Sequence, residues 1–243
     1  MKAVAINSSP GMDKGNTAVI LSPFLQGMKE AGAEVEVFYT RKLDIKPCQG
    51  ELNCWLKTPG ECFQKDDMEW LRPRLAEADL WVLATPLYVD GMTGPMKNLL
   101  DRIIPLAQPF FELRDGHIRH PGRDQKRNTR GKIALVSNCG FWEMDNFDAL
   151  VTHVRAICRN TDMDFAGALL RPHGPAMKPM LKIGGLVEDV VEAARDAGRQ
   201  LVRDERMSAE TLKTVGRDLM TREQYTERVN AGFRQTLDAL SRK

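Results

Sequence analysis

Short apolar runs, separated by stretches with helical periodicity, constrain this chain more than any other feature. Lys2–Asn7, Glu34–Tyr39, Leu80–Thr85, Lys132–Asn138 and Asp164–Leu170 each read as a strand. The third is apolar nearly throughout (Leu80, Trp81, Val82, Leu83, Ala84), as a strand covered on both faces must be. Strands alternating with helices in this way predict a parallel sheet with helices on both sides.

The intervening segments carry helix signals. Ile20, Phe24, Met28 and Ala31 share one face of a first helix. Asp66-Asp67-Met68-Glu69 resembles a capping box, and Pro95 after Thr93-Gly94 suits the start of a third helix. Residues Asp145 to Asn160 and Gly184 to Val202 supply two more helices, while Pro23 and Pro73 predict kinks or shifted starts. A length of 243 residues suits one α/β domain with extensions. We place that domain at residues 1–203, with residues 106–131 as an inserted hairpin or long loop. Residues 204–243 form a C-terminal helical extension, a candidate arm or subunit contact. Lys97, Asp101 and Arg102 are read as a local salt bridge.

Composition excludes several partners. With 35 basic and 33 acidic residues the formal charge is +2, which gives no electrostatic reason to expect nucleic acid or a membrane surface. No apolar run approaches the roughly 20 residues a membrane helix needs. The apolar start, Met1 to Ile6, is too short for a signal segment and reads as a strand. Five cysteines, an odd number, suggest a reducing compartment, and we expect a cytoplasmic protein.

In a doubly wound sheet, ligands bind beyond the carboxyl ends of the strands. The loop after the first strand, Asn7 to Thr17, matches neither the P-loop nor the dinucleotide glycine pattern. It offers hydroxyls (Ser9, Thr17), an amide (Asn16) and a helix N-terminus, a set suited to one phosphate dianion. The same residues also suit a plain turn with an Asn/Thr cap. After the third strand, Thr85-Pro86-Leu87-Tyr88 followed by Gly91 and Met92 combines an apolar wall with exposed amides, as a flavin ring requires; the run also suits a simple strand end. After the fourth, Ser137-Asn138-Cys139-Gly140-Phe141-Trp142 suits either the other flank of a ring or a tight turn with buried aromatics.

Taken in order, these segments carry a resemblance. Asn7-Ser8-Ser9-Pro10 with Gly15-Asn16-Thr17, Cys48-Gln49-Gly50 with Cys54-Trp55 and Cys62, Lys65-Asp66-Asp67-Met68, Ala78-Asp79, and Thr85-Pro86-Leu87-Tyr88 leading to Lys97-Asn98-Leu99-Leu100-Asp101-Arg102 look like the flavodoxin-like NADPH-dependent FMN reductases. Within that family they look most like the iron–sulfur flavoprotein branch. The ordered motifs cover about residues 1–140.

The resemblance implies a flavodoxin-like three-layer α/β/α sandwich with strand order 2-1-3-4-5. It implies FMN, with the phosphate at Ser9, Lys14, Asn16 and Thr17. The ring would lie against Pro86, Leu87, Tyr88, Gly91 and Met92, with Ser137, Cys139 and Gly140 on its other side. Relatives commonly carry glycine at Ser8 and a basic residue at Gly11, so amides and hydroxyls carry more of the phosphate here. In the iron–sulfur branch the loop after the second strand bears four cysteines, and this chain has Glu51 at the second position. A carboxylate is a poor ligand for cluster iron, so no conventional [4Fe–4S] cluster is expected. Cys48, Cys54 and Cys62 would be the ligands of a three-cysteine cluster or a zinc, the alternatives to a metal-free loop. Cys139 and Cys158 read as structural. None of the four histidines forms a ligand set by sequence, and His117 and His120 read as loop residues.

The expected function is an FMN-dependent oxidoreductase. It passes hydride from NAD(P)H to a flavin, quinone or similar acceptor, with no assigned acid or base and residues 106–131 as a cover for the acceptor site, either of the same chain or of a neighbouring subunit. Relatives are homodimers or homotetramers, and the same is expected here. Two alternatives are an electron carrier to protein partners, like the iron–sulfur flavoproteins, and a non-catalytic flavodoxin-like module.

Overall fold

A computed structural model describes residues 1–123, 130–184 and 187–242. The strands are β1 (Lys2–Asn7), β2 (Glu34–Tyr39), β3 (Leu80–Pro86), β4 (Glu112–Arg114), β5 (His117–Arg119), β6 (Lys132–Asn138) and β7 (Asp164–Arg171). All but β4 and β5 pair in parallel in the order β2-β1-β3-β6-β7. This is the expected 2-1-3-4-5 sheet, because β4 and β5 form a separate antiparallel hairpin within the insertion. The rest of that insertion's basic run, residues 124–129, lies outside the described residues.

The helices are α1 (Ala18–Glu30), α2 (Asn53–Leu56), α3 (Met68–Glu77), α4 (Gly94–Asp101), α5 (Asp148–Thr161), α6 (Met177–Lys182), α7 (Glu188–Arg203), α8 (Ala209–Gly216) and α9 (Arg222–Ser241). Strand periodicity divides the core into two layers. Ala3, Ala5, Val82 and Ala84 face α1 and α7, while Val4, Ile6, Trp81 and Leu83 face α3, α4 and α5. The α1–α7 packing is closer than ordinary side chains permit. A Cβ on Gly27 would lie 1.9 Å from the Arg195 carbonyl oxygen, and one on Gly198 would lie 2.0 Å from that of Phe24.

Several local expectations change. Pro23 and Pro73 lie inside α1 and α3, and neither helix start is shifted past its proline. Asp66 to Glu69 is not a reciprocal capping box. Asp66 accepts from the Met68 amide at 3.1 Å, but Glu69 pairs with Lys65 and does not reach back. The Lys97–Asp101 pair forms on α4, whereas Arg102 turns away to Asp66, whose buried carboxylate is the stronger attraction. The helix expected from Gly184 begins at Glu188, after the separate α6; residues 185–186 lie outside the described set.

The C-terminal extension packs on the domain through Met207 and Val215, which join the α1–α7 layer of the core. Thr221 and Gln224 form a complete capping box at the start of α9. Beyond Tyr225 that helix projects, with Phe233, Leu237 and Leu240 exposed. No helix among the described residues is long and apolar enough to cross a membrane.

Candidate functional site

The register sets Asn7 beside Ala84, and Pro86 beside Asn138, so the loops after β1, β3 and β6 emerge at one edge. The first loop is braced from beneath. The Asn7 side-chain oxygen accepts from the Ser9 amide at 2.9 Å, and its Nδ2 donates to the Met12 carbonyl at 3.3 Å. Met12 is held at φ 47°, a left-handed conformation that few side chains adopt. Gly15 faces Ser9 so closely that a Cβ there would sit 2.4 Å from the Ser9 hydroxyl oxygen.

The loop closes on itself through Met12, Lys14 and Gly15 amides, leaving those of Gly11, Asp13, Asn16 and Thr17 without partners among the described residues. Thr17 does not cap α1. Its hydroxyl donates instead to Asn138 Oδ1 at 2.6 Å, joining the turn to the end of β6. Unpaired donors at the first turn of a helix, with no side chain filling them, form a seat for an anion. The residues present therefore fit a phosphate.

The second loop is a tight two-residue turn. Tyr88 and Gly91 exchange both backbone hydrogen bonds, at 3.0 and 3.1 Å. Val89 and Asp90 between them both have positive φ, 48° and 59°. Non-glycine residues held this way store strain, and such strain concentrates at functional loops. Pro86 and Met92 are buried, Leu87 is half-buried, and the Tyr88 ring is exposed.

In the third loop every carbonyl from Cys139 to Phe141 is engaged: by the amides of Gly174 (2.9 Å) and His173 (2.6 Å), and by the Tyr225 hydroxyl (2.6 Å). The amides of Gly140 and Phe141 have no partner among the described residues and are free to donate to a ligand. Ser137 is fully buried and its hydroxyl donates to the Thr85 carbonyl at 2.7 Å; the Cys139 thiol is likewise buried against the Phe141 carbonyl. Those two contacts brace the ends of β3 and β6 beside the unpaired Gly140 amide. Burial also pushes the Cys139 thiol up, favouring its neutral form.

Behind this loop Arg171 and His173 are almost fully buried. The Arg171 guanidinium donates to the carbonyls of Pro172, Val215 and Arg217 and to His173 Nε2. Neither residue stood out in the sequence, because nothing local predicts their burial. Asn7 and Asn138 stand within the quoted motifs, but nothing local predicts the contacts by which they brace the loops.

The cysteine loop has a different geometry. Cys48 is exposed, Cys54 buried and Cys62 half-buried, and with Glu51 they border a cavity of about 10 Å³, room for one water. The Glu51 carboxylate turns back to the Asn53 amide at 3.0 Å, and Arg102 Nη2 donates to Cys62 Sγ at 3.4 Å. Among the described residues no group of three His, Cys, Asp or Glu side chains is arranged to hold a metal ion. The arrangement does not fit an iron–sulfur cluster.

A larger cavity, about 1130 Å³, lies elsewhere, toward the amino ends of β3 and β6. Trp55, Trp81, Phe111 and Ile118 contribute its apolar walls, and none of the candidate flavin residues borders it. The β4–β5 hairpin thus faces this second cavity within the chain, and not the loops after β1, β3 and β6.

The chain is similar to several known proteins. The chain is 39% identical over 115 residues, 47% of its length and 55% of the relative's, to an iron–sulfur flavoprotein of Archaeoglobus fulgidus. It is 33% identical over 110 residues, 45% of its length and 55% of the relative's, to one of Methanocaldococcus jannaschii. The chain thus spans about half the length of these curated relatives. An FMN-dependent NADH-azoreductase of Bacillus anthracis, solved with FMN, superposes with a TM-score of 0.59 at 14% identity, covering 84% of this chain and 100% of that one. At that identity the likeness shows the fold. A family model described as NADPH-dependent FMN reductase matches residues 1–166, and on that match the chain belongs to this family.

Proposed function

We propose that this chain binds FMN and is an oxidoreductase that takes hydride from NADH or NADPH and delivers it to a small acceptor such as a flavin or quinone. The observation that carries the reading is the seat of unpaired amides at Gly11, Asp13, Asn16 and Thr17, beside an exposed Tyr88. Family membership and the printed names of the relatives support the same cofactor.

Ser9, Asn16 and Thr17 of the first turn, with the Lys14 charge, would hold the phosphate. Pro86, Leu87, Tyr88, Gly91 and Met92 would form one wall for the ring, and the free amides of Gly140 and Phe141 would donate to its polar edge. FMN, when bound, supplies a two-electron acceptor that a nicotinamide reduces and a second substrate reoxidises. This chain's task is placement: a fixed turn, a strained wall and donors already aimed need little rearrangement when the ligands arrive. The working assembly in this reading is a homodimer or homotetramer, which light scattering of the holoprotein checks.

A second reading is an electron carrier to protein partners, which the relatives' printed name, iron–sulfur flavoprotein, is consistent with but does not state. Anaerobic stopped-flow mixing with NADH and NADPH separates the two. Rapid bleaching of bound flavin by either nucleotide supports the oxidoreductase. Negligible bleaching by both removes it in favour of the carrier, and protein that is colourless and retains no added FMN removes both.

A further inference from the structure

The turn proposed to seat the phosphate has one lysine of its own, Lys14, whose side chain is exposed. A dianion held by amides and hydroxyls gains most from fixed positive charge close by. Two cations from distant parts of the chain reach this turn. Arg41, just after β2, donates from Nη1 to the Pro10 carbonyl at 2.9 Å. A trans peptide points its N–H opposite its C=O, so this contact directs the unpaired Gly11 amide away from Arg41. Lys178, the second residue of α6, donates from Nζ to the Lys14 carbonyl, 164 positions away in sequence.

Like Lys46, which donates to the Lys65 carbonyl, Lys178 has a backbone acceptor, whereas three other lysines are ion-paired. Lys65, Lys97 and Lys132 each have a carboxylate partner. Lys178 is half-buried and has none within ion-pair distance among the described residues; its ammonium has one acceptor, on the phosphate turn itself. Its place is fixed by its neighbours, since Met177 is fully buried in the core and Pro179 follows directly. A lysine loses more side-chain entropy than most residues when it is fixed, and here a single neutral acceptor holds it. The α1–α7 packing brings the β7–α7 connection to the side of the β1 turn, which is why so distant a residue arrives there.

We propose that Lys178 is a positioning and specificity-determining residue for the flavin phosphate: it fixes the turn through the Lys14 carbonyl and supplies the counter-charge that makes the site prefer FMN to riboflavin. The proposal rests on the FMN reading above.

The test compares FMN and riboflavin binding, by quenching of flavin fluorescence, in protein stripped of flavin. Lys178→Met should weaken FMN about five- to tenfold, in keeping with one partly exposed charge. Riboflavin, which lacks the phosphate, should change less than about twofold. The salt dependence of FMN affinity should become shallower than in the parent protein. Lys178→Gln, which keeps a donor for the Lys14 carbonyl but no charge, should resemble the methionine variant, and Lys178→Arg should recover most of the loss. Equal weakening of both flavins, no weakening of either, or a glutamine variant as good as the parent overturns the proposal. If the parent protein itself binds riboflavin as tightly as FMN, the phosphate reading falls and this inference with it.

Discussion

The Tyr225 hydroxyl donates to the Gly140 carbonyl at 2.6 Å, so the first turn of the projecting C-terminal helix is tied to the loop after β6. Trp142 Nε1 reinforces the junction by donating to the Met220 carbonyl at 3.1 Å. Tyr225→Phe keeps the ring and removes this one bond. The expected cost is about 1 kcal/mol in urea unfolding, with earlier proteolytic release of α9. An unchanged midpoint together with an unchanged cleavage pattern would show that the two elements are not coupled.

His173 gives the same junction a pH dependence. Its Nε2 accepts from Arg171 at 3.0 Å and from the Leu219 amide at 3.1 Å, so the ring is neutral with its proton assigned to Nδ1. Burial, with the Arg171 guanidinium beside it, pushes its pKa from 6.5 down to about 4. The unfolded chain therefore takes up the proton first as pH falls. Stability is complete above about pH 6.5 and is lost progressively down to about pH 4, by on the order of 3 kcal/mol. Carboxylates titrate in the lower part of this window, so the measurement is the difference between the parent and His173→Gln in denaturant midpoints from pH 7 to 4. That difference should shrink as pH falls; a constant difference would refute the assignment.

Much of the sheet was legible because its signal is local. The apolar run Leu80–Ala84 can only be a strand covered on both faces, and its end at Pro86 sets where a ligand loop begins. The turn proposed to seat the phosphate was legible as a composition of small residues and hydroxyls, but not the division of labour within it: the Thr17 hydroxyl donates to Asn138, which leaves its amide as the group facing the proposed seat. The remaining contacts depend on chain crossings that no short pattern encodes. Arg102 finds Asp66 across 36 positions, and Arg171 reaches the Arg217 carbonyl across 46. A buried cation looks in sequence like any surface arginine until the fold supplies its acceptors.

Val89 tests how much strain the turn beside the site stores. It is fully exposed, so packing does not explain its left-handed φ of 48°. A β-branched residue there is costly, and glycine escapes the penalty while losing more freedom on folding. Val89→Gly should therefore raise stability by about 1 kcal/mol, and Val89→Ala, which keeps a Cβ, by clearly less. Equal effects of the two substitutions would mean that the turn is not strained as its dihedral angles imply.

The Asp66–Arg102 pair beneath the cysteine loop makes the sharpest stability prediction. Both side chains are almost completely excluded from solvent, at a separation of 2.5 Å, and Arg102 also donates to the Lys46 carbonyl and to Cys62 Sγ. Burial alone would raise the Asp66 pKa, but the Arg102 hydrogen bonds and the Lys46 and Met68 amides outweigh it and hold it below 3.8. The pair's stabilisation is thus present above about pH 4 and is lost as pH falls through that lowered value. Arg102→Met at neutral pH strands a buried carboxylate and should cost roughly 3–5 kcal/mol. Adding Asp66→Asn removes the stranded charge and should recover much of that loss. Acid should then bring the variants together: lowering the pH neutralises Asp66 in the single variant and moves its stability toward that of the double. Additive losses in the double variant, or a single variant with parent-like stability at pH 7, would show that the two groups do not depend on each other.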